Sequence, residues 1–193
     1  MAMRGPEVIV IGAGQAGLST SYFLSGHGLD HVVLDRGTLA SSWVERRWES
    51  FTLVTPNWTV RLPGAEYRDA DPNGFMRRGD IAAYMGRWAK SFDCPVRTGT
   101  EATGLGPGRD GRFRVDTSDG PLEASAVVVA TGSLQTPRRP RLADFLSPRI
   151  QQLDAETYKN PEDLDPGPSW WSVPARREDR SPMNCGSRAE GCC

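Results

Sequence analysis

The stretch Glu7-Val-Ile-Val-Ile-Gly12-Ala-Gly14-Gln15-Ala-Gly17 decides the reading of this chain. Val8–Ile11 is a continuous apolar run, as a parallel strand covered on both faces requires. Gly12 then permits a tight turn out of the strand, and Gly14 permits a pyrophosphate to approach the backbone. Gly17 lets the following helix lie close to the sheet. Leu18 to Leu24 suits that helix, and Gly26 and Gly28 stop it. His31-Val-Val-Leu-Asp35 reads as a second parallel strand, ending in an acid 18 residues after Gly17. A carboxylate there can accept both hydroxyls of a ribose. The helix N-terminus offers free N–H groups and partial positive charge to phosphates. A lone G-x-G-x-x-G is a weak signal; strand, motif, helix, strand and acid in succession are a strong one.

Outward from this core, residues 38–79 are rich in Trp, Arg, Pro and Asn and show little regular pattern. Asp80 can cap a helix over 80–92, with Ile81, Tyr84, Met85, Trp88 and Phe92 on one face. Short strands are expected at 95–98, 101–105, 112–116 and 122–124, with Ser118-Asp-Gly120 turning a hairpin. Ala126-Val-Val-Val-Ala130 reads as another buried strand, ending in Thr131-Gly132. The predicted class is α/β: a Rossmann-like FAD/NAD(P)-binding domain with a parallel sheet and a small β-meander, spanning residues 1–165. Residues 166–193 lack Leu, Ile and Phe, carry four Pro and four Arg, and have no periodicity, so a disordered tail is expected.

The chain has 193 residues, 23 basic and 24 acidic, for a formal net charge of −1. That balance argues against a nucleic-acid or membrane-surface partner. No apolar run approaches the ~18 residues of a membrane span, and the start shows no signal-peptide pattern, so a cytoplasmic protein is expected. Cys94 stands apart from Cys185, Cys192 and Cys193, no C-x-x-C pair occurs, and His27 and His31 are not spaced to assist. No metal site is expected. The two histidines flank a helix-to-strand turn, and no Ser-His-Asp or Cys-His arrangement is suggested. Asn57 reads as an ordinary turn residue beside Pro56. The pairs Arg46-Arg47, Arg77-Arg78 and Arg138-Arg139 read as solvated surface.

Whether the dinucleotide is FAD or NAD is not decided by the fingerprint, since Asp35 serves either ribose. Arg36 by itself leans toward a 2′-phosphate. Simple NAD enzymes continue with alternating strands and helices, whereas this chain inserts residues 38–79 and a meander, a layout closer to a flavin-binding fold.

From about Val8 to Gly167 the chain resembles the N-terminal part of FAD-dependent monooxygenases of the flavin-containing type. The resemblance rests on Gly12–Gly17, Asp35, Ser42-Trp-Val-Glu-Arg-Arg-Trp48 and Thr55-Pro-Asn-Trp58. Gly74-Phe-Met76, Ala130-Thr-Gly132 with Pro137, and Tyr158-Lys-Asn-Pro161 extend it. It implies that Gly12, Gly14, Gln15 and Gly17 hold the FAD pyrophosphate, and that Asp35 with its neighbour Arg36 meets the adenosine ribose. Trp43 would lie along the flavin side, Ala102 would back the adenine, and Thr131-Gly132 would pass close to the cofactor. NADPH would reduce the FAD, and one atom of O2 would pass to a nucleophilic small molecule. Catalytic residues and oligomeric state are not specified.

The sequence departs from that family at two places. Asp154 stands where the fingerprint usually has His, four residues before Tyr158. No second G-x-G-x-x-G follows Gly167 to bind NADPH, so the fold reads as incomplete and the chain as inactive alone. The genetic code permits a shifted frame from Ser169 to read Leu-Val-Val-Gly-Ser-Gly-Gln-Ala-Gly, which makes 166–193 an expected frameshift product. The competing readings are a truncated, non-catalytic fragment and an NAD(P)-dependent dehydrogenase.

Overall fold

The computed structural model describes residues 5–68, 71–132 and 137–168. Strand β1 (Val8–Ile11) leads into helix α1 (Gln15–Gly26), and β2 (His31–Asp35) returns parallel to β1. Helix α2 (Ser41–Glu45), the two-residue strands β3 (Arg61–Leu62) and β4 (Ala65–Glu66), and helix α3 (Arg78–Ser91) follow. Next come β5 (Val96–Thr98), the meander β6 (Ala102–Pro107), β7 (Phe113–Thr117) and β8 (Leu122–Ala124), and finally β9 (Ala126–Val129).

Four strands form one parallel sheet in the order β5-β2-β1-β9. Its two faces are covered by different layers. Val8, Val10 and Val33 pack with Leu18 of α1 and with Ile81, Met85 and Trp88 of α3. Ile9, Val32 and Leu34 pack with Val115 and Ala124 of the meander. Alternate residues of one strand therefore enter opposite cores, which is why β1 and β2 are apolar throughout.

Helix α3 starts two residues earlier than its pattern suggests. Asp80 lies in the first turn rather than at the cap, and its Oδ2 accepts the Arg77 amide at 3.3 Å. Residues 38–79 are more ordered than their composition implies, holding α2, a 3-10 turn at Asn57–Thr59 and the β3–β4 hairpin. Asn57 is buried and organises this stretch. Its Oδ1 accepts the Met76 amide, and its Nδ2 donates to the Asp71 carbonyl at 2.9 Å.

Strand β9 corrects the expectation of another buried strand. It is an outer strand, paired on one side with β1, and Val129 is 62% exposed. Beyond it, Leu142 and Phe145 of a 3-10 segment are also exposed, Phe145 at 83%. The returning stretch 154–160 docks along α2. Lys159 donates Nζ to the Glu45 carbonyl, Glu49 donates its amide to the Lys159 carbonyl at 2.8 Å, and Arg46 pairs with Glu156 at 3.2 Å. The expected tail lies outside the described residues from 169 onward.

Candidate dinucleotide site

The site forms at the carboxyl ends of β1, β2 and β9, where open parallel sheets bind ligands. Gly12 has φ +107°, and a Cβ there would sit 2.5 Å from the Ala130 carbonyl oxygen. That contact sets the turn directly against the end of β9 and hence beside Thr131 and Gly132. At Gly17 a Cβ would stand 1.8 Å from the Gly12 carbonyl oxygen, so this glycine closes the helix onto the turn. Gly14 is different. A Cβ there would meet nothing within 4 Å, so the space in front of this residue is open.

Gly14 is also the N-cap of α1, with no side-chain capping bond and no acid in the first turn. The first-turn amides of a helix have no partner within it. Exposed Gln15 begins that turn, leaving an open, electropositive helix end beside the glycine turn.

Asp35 joins the parts. Its Oδ2 accepts the Ala13 amide at 2.7 Å, and its Oδ1 accepts the Gly37 amide at 2.9 Å. Each oxygen retains a lone pair for a ribose hydroxyl. The Asp35 carbonyl accepts the Thr100 amide and that of Gly37 accepts the Gly99 amide, which brings the start of β6, with half-buried Ala102, to the same end. Arg36 is exposed alongside. Half-buried Trp43, on α2, packs against the cluster that contains Ala13 and Ala40. The chain thus brings together Gly12, Gly14, Gln15, Gly17, Asp35, Thr131 and Gly132, with Ala102 and Trp43 at the margins. An open glycine cradle, a positive helix end and an acid at the second strand fit an adenine dinucleotide.

A second stretch, Gly106-Pro-Gly108-Arg-Asp-Gly111, has the same G-x-G-x-x-G spacing. It lies between the antiparallel strands β6 and β7, with no long helix behind it. Spacing alone therefore selects nothing. Two grooves, of about 420 and 310 Å3, lie elsewhere, at the end of α1 beside Phe92 and between Asn57 and Arg87. Among the described residues no group of three or more His, Cys, Asp or Glu could hold a metal, and no helix is long and apolar enough to cross a membrane.

Several contacts were not legible in the sequence. Ser21, His31 and Cys94 meet despite their separation. Ser21 Oγ lies 2.8 Å from His31 Nε2 and 3.2 Å from Cys94 Sγ, while His31 Nδ1 lies 2.8 Å from the Leu29 carbonyl oxygen. Ser21 thus bridges His31 and Cys94, a convergence that residue spacing does not convey. Burial pushes the Cys94 thiol up, outweighing the opposing Ser21 hydrogen bond, so the thiolate is disfavoured. The arginine pairs are also not simply solvated. Arg78 donates to the Val44 carbonyl at 2.8 Å, and Arg139 pairs with Asp154 at 3.1 Å.

The family described as pyridine nucleotide-disulphide oxidoreductase matches residues 9–160. An uncharacterized CzcO-like oxidoreductase of Geobacillus kaustophilus is 35% identical over 161 residues, covering 83% of this chain and 46% of that protein. A probable indole-3-pyruvate monooxygenase of Arabidopsis thaliana is 29% identical over 168 residues, 84% of this chain and 39% of that one. The chain thus spans about half the length, or less, of these curated relatives. Among solved structures, a flavin-containing monooxygenase from Stenotrophomonas maltophilia superposes with TM-score 0.65 at 30% identity, covering 72% of this chain and 42% of that chain. The match extends across the strand, glycine turn, helix and acid described above, and the chain belongs to the pyridine nucleotide-disulphide oxidoreductase family.

Proposed function

We propose that this chain is the FAD-binding part of an NAD(P)H-dependent flavoprotein monooxygenase whose substrate is a nucleophilic small molecule. The observation that carries the reading is the Asp35 carboxylate, held against the Gly12–Gly17 turn by the Ala13 amide. In this reading Gly12, Gly14, Gln15 and Gly17 receive the pyrophosphate and Asp35 the adenosine ribose, with Arg36 beside it. Ala102 backs the adenine, Thr131 and Gly132 flank the cofactor, and Trp43 lies toward the flavin. Bound FAD would supply hydride acceptance and oxygen activation, while the protein supplies position and exclusion of water. The monooxygenase relatives support this class of chemistry over a simple dehydrogenase.

The chain spans 46% of the Geobacillus kaustophilus relative, so NADPH-driven turnover is proposed of the whole protein rather than of these residues alone. Purified protein incubated with FAD should retain absorbance bands near ~370 and ~450 nm after desalting, as a bound oxidised flavin does. A protein that stays colourless yet binds NADP would overturn the reading in favour of a dehydrogenase. One that binds neither would favour a non-catalytic fragment. Coupled NADPH oxidation and substrate oxygenation well above free FAD would instead show that the chain is sufficient.

A further inference from the structure

The groove between residues 71–76 and the outer face of α3 shares no residue with the dinucleotide site. Its volume is about 310 Å3, room for one small molecule. Helix geometry sets one side of it. Asp80, Ala83 and Arg87 are spaced three and four residues apart and line the groove together, while Ile81, Met85 and Trp88 enter the core. Seven residues at ~1.5 Å each place the Asp80 and Arg87 backbones roughly 10 Å apart along the axis. Exposed Ala83 between them adds only a methyl group. Asp71 and Phe75, the latter 50% exposed, line the other side. Buried Asn57 fixes that side in place. Its Oδ1 accepts the Met76 amide at 2.6 Å, and its Nδ2 donates to the Asp71 carbonyl at 2.9 Å and to the Tyr67 hydroxyl at 3.3 Å.

The charges of this groove are held apart. The Arg87 guanidinium carbon lies 5.9 Å from the ring centre of Tyr84, whose hydroxyl donates to the Ala65 carbonyl at 3.2 Å. Arg87 thus leans back one turn toward Asp80 and closes part of the gap between them. It is exposed, and among the described residues it makes no hydrogen bond or ion pair. The Asp71 carboxylate is likewise unpaired, and Asp80 commits one oxygen, Oδ2, to the Arg77 amide at 3.3 Å. An arginine that shares so small a groove with two carboxylates, yet bonds neither, leaves a positive and a negative pole beside an aromatic ring. A ligand carrying one group of each sign satisfies both poles at once. A singly charged ligand leaves the other pole unmatched.

We infer that this groove binds a small zwitterion of the α-amino acid class with an apolar side chain. The ligand carboxylate meets the planar fork of Arg87, its ammonium meets Asp71 and the free oxygen of Asp80, and its side chain lies against Phe75. The inference does not rest on the dinucleotide reading.

The test titrates the chain with L-phenylalanine, with phenethylamine, which lacks the carboxylate, and with hydrocinnamate, which lacks the ammonium. Heteronuclear NMR reads binding, and melting and FAD titration serve as controls. L-phenylalanine should saturate with a Kd on the order of 1 mM, shifting amides of residues 71–76 and 80–87, and each analogue should bind at least about fivefold more weakly. Arg87→Gln should weaken L-phenylalanine roughly tenfold and leave phenethylamine unchanged. Asp71→Asn should weaken L-phenylalanine and leave hydrocinnamate unchanged. Both side chains are exposed, so Tm and FAD affinity should hold in both variants. No saturation by ~20 mM, analogues that bind as tightly as the zwitterion, or wild-type affinity in Arg87→Gln would each overturn the inference in favour of solvated surface charge. The analogue comparison uses wild type alone, so a variant that fails to fold does not remove the test. A chain that takes up L-phenylalanine in this way but not FAD would overturn the dinucleotide reading and support this one.

Discussion

The Asp35 carboxylate and the Ala13 amide lie 2.7 Å apart, across 22 residues of sequence. This bond ties the end of the second strand to the glycine turn of the first. With the Gly37 amide on its other oxygen, Asp35 braces the site before any ligand arrives. Replacing it by Ala should therefore have two effects that a pure ligand contact would not combine. Adenine-dinucleotide affinity should fall by ~1.5–3 kcal/mol as charge-assisted bonds are lost. The ligand-free protein should also melt lower, because two backbone donors lose their acceptor. Calorimetric titration and a melting curve on the same sample read both; an unchanged Tm with weakened binding would show that the bracing is unimportant.

Gly14 and Gly17 should respond in opposite ways to the same substitution. Gly17→Ala sets a methyl 1.8 Å from a backbone oxygen, which only a shift of helix or turn can relieve, so the soluble folded yield should collapse. Gly14→Ala meets nothing within 4 Å at a φ of −81°, so the ligand-free Tm should stay within a few degrees. Its methyl would project into the cradle, so FAD affinity should drop at least tenfold, ~1.4 kcal/mol. Melting and FAD titration of both variants separate the structural glycine from the ligand-facing one.

The parts of this fold legible in sequence are those set by local pattern. Val8–Ile11, the glycine turn and His31–Asp35 sit where their periodicity and spacing place them, and Ile81, Met85 and Trp88 mark the buried face of α3. What was not legible depends on side chains that meet through the fold. Asn57 reads locally as a turn residue, and only the return of Met76 gives its amide a purpose. Ser21, His31 and Cys94 converge because α1 crosses β2 while β5 pairs alongside, which no spacing rule conveys. Arg47 looks like any solvated arginine until Trp43 and Phe51 are seen beneath it. The burial of β9 was misjudged for the converse reason, since an apolar strand does not reveal whether its outer neighbour is present.

Cys94 should be chemically quiet. Burial raises its thiol above the ordinary value of 9.0, and the Ser21 hydrogen bond offsets this only in part. A group whose pKa is raised on folding contributes stability fully below its unfolded pKa and loses it as pH climbs through the folded one. Stability should therefore decline only as pH rises past the ordinary thiol value of 9.0, not near neutrality. At pH 8, iodoacetamide should label Cys94 far more slowly in folded protein than in urea, as read by peptide mass spectrometry that distinguishes Cys185, Cys192 and Cys193. Equal rates would show an accessible thiolate. Ser21→Ala removes the shared partner of His31 and Cys94 at a fully buried position and should cost about 1–3 kcal/mol.

Asp154 gives acid sensitivity to the stretch docked on α2. Partial desolvation raises its carboxyl, but Arg139, the amides of Thr157 and Glu156, and the Thr157 hydroxyl together hold it below the usual value of 3.8. Because the folded pKa is depressed, its contribution is complete above the unfolded carboxylate pKa and is lost as pH falls through the folded one. Melting temperature should thus drop below about pH 4, and Asp154→Asn should lower Tm at pH 7 while flattening that acid limb. An unchanged acid limb in the variant would assign it to other carboxylates.

The outer edge of β9 should govern the behaviour of the chain in solution. Val129 is 62% exposed on a strand whose far side has no described partner, and Phe145, later in the chain, is 83% exposed. Open apolar strand edges recruit other strands, and a charge placed on such an edge is the usual means of blocking this. With a net charge of only −1, long-range repulsion offers little protection. Val129→Lys should therefore leave the Tm of dilute protein within a few degrees, since that side chain contributes little to either core cluster. It should also reduce concentration-dependent association, seen as a lower weight-average mass in light scattering from 10 to 200 μM, on the order of interface affinities in the micromolar range. A variant that associates as strongly as wild type would move the sticky surface from β9 to the Leu142–Phe145 segment, where Phe145→Ser would then be the decisive substitution.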